Sequence, residues 1–169
     1  MLDKYFPTET AGSVFEIEYD RLYDKGYRGL IFDIDNTLVH HGDDSNDRVD
    51  ELFARLNTIG FKCLLLSNNN EARVLRFKEN IDCMYICDAD KPETGGYEEA
   101  LKMLGLDKNS VICIGDQLFT DILGANRCKM ASILVDFIRL PGVKKIGKKR
   151  RLEQVILFFY KRRRKKNAL

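Results

Sequence analysis

Five short apolar runs, each followed by polar residues, constrain the fold of this chain more than any other feature of its sequence. Leucine, isoleucine, valine and cysteine fill these runs without the alternation of polar and apolar residues that marks a half-exposed strand. Such runs are typical of strands buried on both faces, as in parallel sheets. The predicted strands are residues 29–33, 62–67, 84–87, 111–115 and 132–136.

Stretches of helical length and period occupy the intervals between these strands. In residues 46–59 apolar side chains recur at helical spacing, and Gly60 follows as a C-terminal stop signal. The other predicted helices are residues 14–25, 71–79, 94–104 and 120–128. Strands that alternate with helices predict an α/β fold, in which a parallel five-stranded sheet carries helices on both faces.

The residues directly after the strands are of most interest, because ligands bind beyond the carboxyl ends of strands in open α/β sheets. The first strand leads into Asp33 and Asp35, two carboxylates that could act on a phosphorus atom as nucleophile and general acid. Ser67 and Asn68 follow the second strand and offer a hydroxyl and an amide to phosphate oxygens. After the third strand, Lys91 could neutralise charge on a transferring phosphoryl group.

The fourth predicted strand ends at a second acidic pair, Asp116 and Asp121. Together with Asp33, these residues provide the oxygen ligands that Mg²⁺ prefers. Each feature alone is more often a turn, a cap or the entry to a helix. Their order is far more specific, because an acid pair, a serine, a lysine and another acid pair each follow a separate apolar strand. The combination predicts one site at one edge of the sheet.

The four segments that carry these residues resemble the motifs of the haloacid dehalogenase-like (HAD) phosphohydrolase superfamily. They read DIDNTLV, LLLSNN, DADKP and IGDQLFTD, and the resemblance covers about residues 29–136. More closely, the whole chain resembles the YqeG family of HAD phosphatases, subclass IIIA. The resemblance implies a HAD-like Rossmannoid fold and Mg²⁺-dependent hydrolysis of a phosphomonoester.

The resemblance also implies a role for each matching residue. Asp33 would be the nucleophile that forms an aspartyl-phosphate, and Asp35 would be the general acid and later the base for water. The implied phosphate-binding residues are Thr37, Ser67, Asn68 and Lys91. The implied ligands of Mg²⁺ are Asp33, the backbone carbonyl of Asp35, Asp116 and, directly or through water, Asp121. An acid at position 35 favours a phosphatase or phosphomutase over the ATPase branch, and the lack of a mutase-like insertion favours hydrolysis.

The intervals between the motifs are too short for the cap domain that HAD enzymes often insert. Only 27 residues lie between Val39 and Ser67, and 24 positions separate Ser67 from Lys91. Each interval has room for a helix and one further loop or strand. The sequence therefore predicts an open site without a cap domain, whose substrate is large or part of a surface unless a partner subunit closes the site.

A strongly basic segment follows the predicted domain. Residues 144–166 contain twelve lysine or arginine residues and one acid, Glu153, although the net charge of the whole chain is only +2. We therefore divide the chain into a HAD-like phosphatase domain, residues 1–143, and a basic C-terminal helix or tail, residues 144–169. This charge asymmetry implies an anionic partner for the tail.

The sequence leaves several interpretations of the tail open. A stripe of apolar residues recurs there at helical spacing: Leu152, Val155, Ile156 and Phe159. The stripe could pack on the sheet, as amphipathic helices usually do on their own domain. The helix could instead lie on an anionic membrane surface, and both arrangements can hold at once. Binding to nucleic acid is a third alternative, although the few aromatic residues offer no stacking platform.

Two functions from different classes follow from these features. The first is a Mg²⁺-dependent phosphatase; HAD phosphatases near this family point to a phospholipid monoester such as phosphatidylglycerophosphate. The second is a protein that keeps the HAD scaffold and docks RNA, the ribosome or a membrane through its basic tail. The complete set of acids favours the enzyme, because a pure scaffold has no physical need for mutually repelling carboxylates.

Composition adds an expected location. The five cysteines are odd in number, and neither a secretory signal nor a membrane-spanning run is visible. We expect a cytoplasmic protein, peripheral on the inner face of the membrane if the tail binds lipid. The sequence leaves open the oligomeric state and the roles of His40, His41 and Arg73.

Overall fold

The computed structural model describes residues 2–138 and 147–167, with side chains up to residue 164. Parallel strands form one sheet in the order β1-β6-β5-β2-β3-β4. Their bounds are Glu9–Ala11 (β1), Gly29–Phe32 (β2), Lys62–Leu66 (β3), Met84–Ile86 (β4), Val111–Gly115 (β5) and Ala131–Val135 (β6). The predicted α/β class is confirmed, and all five predicted strands are present with ends that differ by at most one residue.

The predicted number of strands is wrong, because β1 adds a sixth strand at one edge of the sheet. This strand has three residues, Glu9–Ala11, and pairs only with β6 among the described strands. The segment is short and largely polar, so the sequence contains no apolar run that would predict a strand there. Pairing with the backbone of β6, rather than burial, accounts for its extended conformation.

Helices cover both faces of the sheet, as predicted. Their bounds are Tyr19–Asp24 (α1), Asp47–Ile59 (α2), Glu71–Phe77 (α3), Gly95–Leu104 (α4), Leu123–Arg127 (α5) and Lys148–Asn167 (α6). Leu30 and Phe32 belong to a core with the buried residues of α1, α2 and α3, whereas Ile31 belongs to a second core with those of α4 and α5. Burial on both faces explains why the strand sequences do not alternate. Between β2 and β3 the chain forms a loop and α2, with no inserted cap domain.

Local signals set both ends of α2, of which the stop at Gly60 was predicted. Asn46 precedes the helix, and its side chain accepts a hydrogen bond from the backbone N–H of Val49 at 3.2 Å. Gly60 ends the helix with a φ of 105°, a left-handed conformation that a residue without Cβ adopts readily.

Two other predicted helices differ in the structure. The predicted helix 14–25 is divided into a short 3₁₀ turn, Val14–Glu16, and α1, because the backbone is extended at Ile17. The predicted helix 120–128 is replaced by a π-helical turn, Leu118–Ile122, that leads into α5. In this turn the N–H groups of two successive residues donate to the same carbonyl, that of Gln117, at 3.1 and 3.2 Å.

The basic helix α6 packs on the domain through a narrow buried stripe. Ile156 joins a cluster with Leu118 and Leu134, and the ring of Tyr160 lies 5.5 Å from that of Phe6. Glu153, the single acid of this helix, is also buried. The inward face of α6 is thus part polar and part apolar.

The predicted apolar stripe of α6 does not pack on the domain as a unit. Only Ile156 faces inward, whereas Leu152, Val155 and Phe159 are about half exposed at 54%, 52% and 47%. The helix is rotated because polar contacts of its buried face, described below, determine which side turns inward. Apolar spacing alone carries no information on those contacts.

Part of the tail prediction concerns residues that the structure does not describe. The boundary between residues 143 and 144 lies outside the described residues, as do Lys144, Lys145 and the side chains of Lys165 and Lys166. In the described part of the chain, every helix is too short or too polar to cross a membrane.

Candidate active site

The carboxyl ends of β2 and β5 lie side by side, at the point where the order of the strands reverses. Asp33 follows β2, and Asp116 follows β5. Asp121, in the π-helical turn, completes a cluster in which one carboxylate oxygen from each acid lies within 4.8 Å of the others. The acids that follow two separate strands therefore meet at the sheet edge where α/β proteins bind ligands.

Gly115 allows Asp121 to approach the end of β5. A Cβ at position 115 would lie 2.4 Å from Cγ of Asp121, which is closer than two carbon atoms can approach without displacement. The carboxylate of Asp121 accepts hydrogen bonds from the backbone N–H of Gln117 at 3.1 Å and from the Thr120 hydroxyl at 3.3 Å. The glycine and the π-helical turn together determine the position of this carboxylate.

The ammonium group of Lys91 lies between two of the acids. Its Nζ is 2.6 Å from Oδ1 of Asp33 and 2.8 Å from Oδ1 of Asp121, and only 4% of the lysine side chain is exposed. Burial opposes the charged form, but the two carboxylates outweigh it and raise the pKa of Lys91. The lysine is therefore a fixed positive charge in contact with Asp33.

Asn68 holds the backbone of this lysine. Its Oδ1 accepts a hydrogen bond from the N–H of Lys91 at 2.7 Å, and its Nδ2 donates to the carbonyl of the same residue at 3.1 Å. This reciprocal pair joins the loop after β3 to the loop after β4. The amide of Asn68 is thus engaged within the protein, and its predicted contact with phosphate stays a prediction.

The remaining residues predicted to bind phosphate also lie in the site. Oγ1 of Thr37 is 3.1 Å from Oδ2 of Asp33 and 3.3 Å from Oδ1 of Asp116. The Ser67 hydroxyl is buried and accepts hydrogen bonds from the backbone N–H and the side-chain amide of Asn69, both at 3.1 Å. These contacts leave the hydroxyl hydrogen of Ser67 available for a further acceptor.

Crowding of the acids changes their protonation. Burial, with a further contribution from Asp121, raises the pKa of Asp33 to about 6, although Lys91 opposes this shift. Burial and the charges of Asp33 and Asp121 raise the pKa of Asp116 to about 7, against the effect of Arg150. Together with the buried Glu153, which pairs with the same Arg150, four carboxylates and two cations leave a formal excess of two negative charges in a buried space.

Asp35 belongs to a different set of contacts. Its carboxylate accepts hydrogen bonds from the backbone N–H of Gly42 at 2.8 Å, from Nδ2 of Asn69 at 2.5 Å and from Arg73 at 3.1 Å. Burial raises the pKa of Asp35, but these hydrogen bonds outweigh burial and lower it overall. A carboxyl group held two residues from Asp33, but outside the cluster of three acids, can carry a proton to or from a group beside Asp33.

The helix α6 supplies a group at the site that the sequence analysis missed. The guanidinium of Arg150 forms an ion pair with the carboxylate of Asp116 and donates to the backbone carbonyl of the same residue at 2.5 Å. Glu153 accepts a hydrogen bond from the N–H of Leu118 at 2.9 Å and pairs with Arg150 at 3.1 Å. One signal could have indicated this contact, since Glu153 is the single acid in a basic segment.

His40 and His41 directly follow the first motif, DIDNTLV. Nδ1 of His41 is 3.7 Å from Oδ1 of Asp35, but the side chain is 76% exposed. Nδ1 of His40 is buried and has no hydrogen-bond partner among the described residues. Neither imidazole belongs to the cluster of three acids, whereas Arg73, whose role the sequence left open, contacts Asp35 directly.

The cluster of three acids fits a divalent cation. All three ligand groups are carboxylates, the oxygen donors that Mg²⁺ prefers, and they lie close enough to share one ion. The formal negative charge that remains after Lys91 and Arg150 are counted is the second indication of a cation site. The side chain of Asp35 is outside this cluster, and the predicted ligation through its backbone carbonyl stays a prediction.

The fold and this cluster define a class, the HAD-like hydrolases. A family profile described as HAD-hydrolase-like matches residues 89–137, which contain Lys91, Asp116 and Asp121. The "probable phosphatase YqeG" of Bacillus subtilis (strain 168) is 38% identical over 137 residues, which cover 80% of this chain and 80% of that protein. The chain belongs to the YqeG family of HAD-type phosphatases, as its motifs predict.

Solved structures share the fold at low sequence identity. A haloacid dehalogenase-like hydrolase from Brucella suis 1330 is 12% identical with a TM-score of 0.52, and the match covers 75% of this chain and 98% of that chain. The "putative HAD-hydrolase YfnB" from Bacillus subtilis, bound to magnesium, is 13% identical with a TM-score of 0.51, and the match covers 77% of this chain and 98% of that chain. At this level of identity, the two structures show that the fold is shared and carry no conclusion about activity.

Proposed function

We propose that this phosphatase hydrolyses a phosphomonoester through an aspartyl-phosphate on Asp33, with Mg²⁺ as its cofactor. The contact that carries the proposal is that of Lys91 with Asp33, 2.6 Å between Nζ and Oδ1, beside two further acids. A lysine in this position has a clear use during phosphoryl transfer, because it offsets the repulsion between an anionic nucleophile and an anionic phosphate.

The reaction proceeds in two displacements. A carboxylate oxygen of Asp33 attacks phosphorus, and the bond from phosphorus to the ester oxygen breaks. Asp35 gives its proton to the departing oxygen. In the second step it takes a proton from the water that attacks phosphorus, the bond from phosphorus to the Asp33 oxygen breaks, and inorganic phosphate leaves with the Asp33 carboxylate restored. The first step needs protonated Asp35, and the negative charge of the arriving phosphate favours that form because it raises the pKa of a nearby carboxyl group.

Mg²⁺ would be held by Asp33, Asp116 and Asp121 together with the backbone carbonyl of Asp35. When bound, the ion neutralises the charge of the phosphoryl oxygens. Among the residues of the chain itself, the Ser67 hydroxyl and Lys91 bind the other phosphoryl oxygens. Thr37 orients Asp33, and Asn68 acts through the backbone of Lys91 in addition to its predicted contact with phosphate.

The substrate is a bulky phosphomonoester or one presented at a surface. A cleft of about 490 Å³ opens beside Asp116 and is lined by Leu118, Leu134 and Leu157 together with Arg150. The apolar wall suits a molecule with an apolar part, whereas the polar side of the cleft contains Asp136 and Arg150, the latter paired with Asp116 and Glu153. Phosphatidylglycerophosphate has such an apolar part and is the substrate that we propose to test first.

Hydrolysis of 4-nitrophenyl phosphate and of micellar phosphatidylglycerophosphate, each with Mg²⁺ or with a chelator, tests the proposed function. We expect turnover of both compounds with Mg²⁺ and a loss of about 100-fold or more with the chelator, reversed when Mg²⁺ is restored. Turnover that is insensitive to the chelator would contradict the metal requirement. If neither compound is hydrolysed while Mg²⁺ is bound, the result would favour the alternative of a HAD-scaffold binding protein.

The contact between Arg73 and Asp35 has a measurable consequence for the pH dependence. Arg73 lowers the pKa of Asp35, so Arg73→Leu raises it and moves the limb of the kcat/KM profile that reports Asp35 to higher pH. The profile is measured with phosphatidylglycerophosphate, because its alkoxide leaving group needs a proton. Because the first step needs protonated Asp35, the variant stays active at a higher pH than the wild type. Arg76→Leu, which removes a more exposed arginine of α3 paired with Asp44, is the matched control and leaves this limb in place. An unchanged limb in Arg73→Leu would contradict the assignment of Asp35.

A further inference from the structure

The outer face of α6 exposes an unusual number of large apolar side chains. Seven such side chains are exposed in the part of the chain that the structure describes, and four of them lie on this helix. These four form the outer face of α6: Leu152, Val155, Phe158 and Phe159, exposed by 54%, 52%, 59% and 47%. Single exposed apolar residues are ordinary on protein surfaces, but four on one helix mark an interaction site.

Basic residues stand at both ends of this apolar patch. Lys148, Lys149 and Arg151 are exposed before it, and residues 161–164, one lysine and three arginines, are exposed after it. Glu153, the acid of this helix, is buried on the opposite side, so the exposed side chains of α6 up to residue 164 include no acid. The exposed surface of α6 up to residue 164 therefore combines apolar side chains with positive charges and includes no negative charge.

The buried face of α6 is already anchored, so the outer face is free for another contact. Arg150 and Glu153 bind the loop after β5, Ile156 packs in an apolar cluster, and Arg163 pairs with Asp3. These contacts extend along most of the helix. The exposed apolar side chains of α6 are not the ones that pack on the domain, because Ile156 and Tyr160 form that contact.

We propose that the outer face of α6 docks the protein on an anionic lipid surface, with the helix lying in the plane of the interface. The four apolar side chains would enter the boundary between headgroups and acyl chains, and the basic residues at both ends would pair with anionic headgroups. A helix of 20 residues is about 30 Å long, so both basic ends can contact the surface at once.

Charge and chemistry favour lipid over other occupants of this face. Nucleic acid would pair with the basic residues but would leave two aliphatic side chains, Leu152 and Val155, without an apolar partner. A second copy of the same face would bring like charges together at both ends of the helix. A lipid interface satisfies the apolar and the basic residues together.

The position of α6 relates this docking surface to the active site. Arg150 on the inner side of the helix contacts Asp116, and the outer face lies about one helix diameter, 10–12 Å, from that side. Docking through α6 would thus hold the site close to the lipid surface. This link to catalysis rests on the proposed function, whereas the docking itself does not.

Co-sedimentation of the full chain with vesicles tests the docking surface. We compare phosphatidylcholine vesicles with and without phosphatidylglycerol, and the wild type with the double variant Val155→Ser and Phe158→Ser. The wild type should bind the anionic vesicles and lose this binding at high salt, and the double variant should bind them about tenfold or more weakly. A second double variant, Leu75→Ser and Met103→Ser, removes two exposed apolar side chains elsewhere and should bind as the wild type does.

Hydrolysis of 4-nitrophenyl phosphate in the same samples separates docking from catalysis. Equal turnover by all three proteins, with reduced vesicle binding by the α6 variant alone, supports the proposal. Equal vesicle binding by the two double variants, or wild-type binding that does not depend on phosphatidylglycerol, would overturn it. So would a wild type that binds an RNA oligonucleotide or dimerises through this face but does not bind vesicles. Lack of turnover by every protein, with docking intact, would count only against the proposed function.

Discussion

We expect Asp33→Asn to lower the turnover of 4-nitrophenyl phosphate by about 10⁴-fold or more, the largest effect of any single substitution in this protein. An amide cannot form the acyl phosphate, and it also removes a carboxylate from the cluster of three acids. Because leaving-group release from an aryl phosphate needs little help from an acid, the loss reports Asp33 as nucleophile and metal ligand rather than the general acid. Steady-state release of 4-nitrophenolate with saturating Mg²⁺ measures it.

Asp82→Asn is the matched control for this substitution. It makes the same chemical change at an exposed aspartate before β4, and its turnover should equal that of the wild type. Both variants should melt cooperatively, since Asp33→Asn removes one of three mutually repelling charges. Turnover by Asp33→Asn within tenfold of the wild type would show that another group attacks phosphorus.

Lys91→Met should have the second largest effect, on activity and on stability together. Loss of the ammonium group removes a charge that contacts Asp33 and Asp121, and turnover should fall by about 10²–10³-fold. In the metal-free protein the two carboxylates also lose their buried partner, which should lower the free energy of unfolding by about 3 kcal/mol at neutral or higher pH. Denaturant unfolding and steady-state kinetics measure the two effects.

The pH dependence of that stability loss has a definite sign. Lys91 lowers the pKa of Asp33, so the variant has a higher pKa at Asp33 than the wild type. A carboxyl group whose pKa is raised in the folded state costs stability as pH rises through that value, and the stability deficit of Lys91→Met should shrink when the pH is lowered. Lys102→Met, at an exposed position on α4, is the control. A deficit that grows towards acid pH would contradict the ion pairs described for Lys91.

Much of the site could be predicted because the chemistry lies directly after buried strands. Parallel strands bring their carboxyl ends to one edge, so Asp33 after β2 and Asp116 after β5 were expected at the same edge once the strands were recognised. The same logic placed Lys91 near them. The order of the strands, which makes the two acids neighbours, was not predicted. Short apolar runs, each followed by polar residues, made the strands recognisable, and the motifs then identified the family.

The features that could not be predicted depend on contacts distant in sequence. β1 is extended because β6 pairs with it, and its own residues carry no strand signal. The rotation of α6 depends on Arg150 and Glu153, which bind the loop after β5, 34 and 35 positions earlier in the chain. The spacing of apolar residues predicts that a helix has an apolar stripe. It does not predict which side of the helix forms polar contacts with the rest of the domain.

Acid-quench trapping of the phosphorylated enzyme tests the central claim most directly. Asp35→Asn with 4-nitrophenyl phosphate suits this experiment, because nitrophenolate leaves without a proton while the attack of water lacks its base. The account predicts a burst of nitrophenolate and, after proteolysis, a single phosphoryl group on the peptide that contains Asp33. Phosphate on a peptide that lacks Asp33, or a burst with no modified peptide at all, would contradict it.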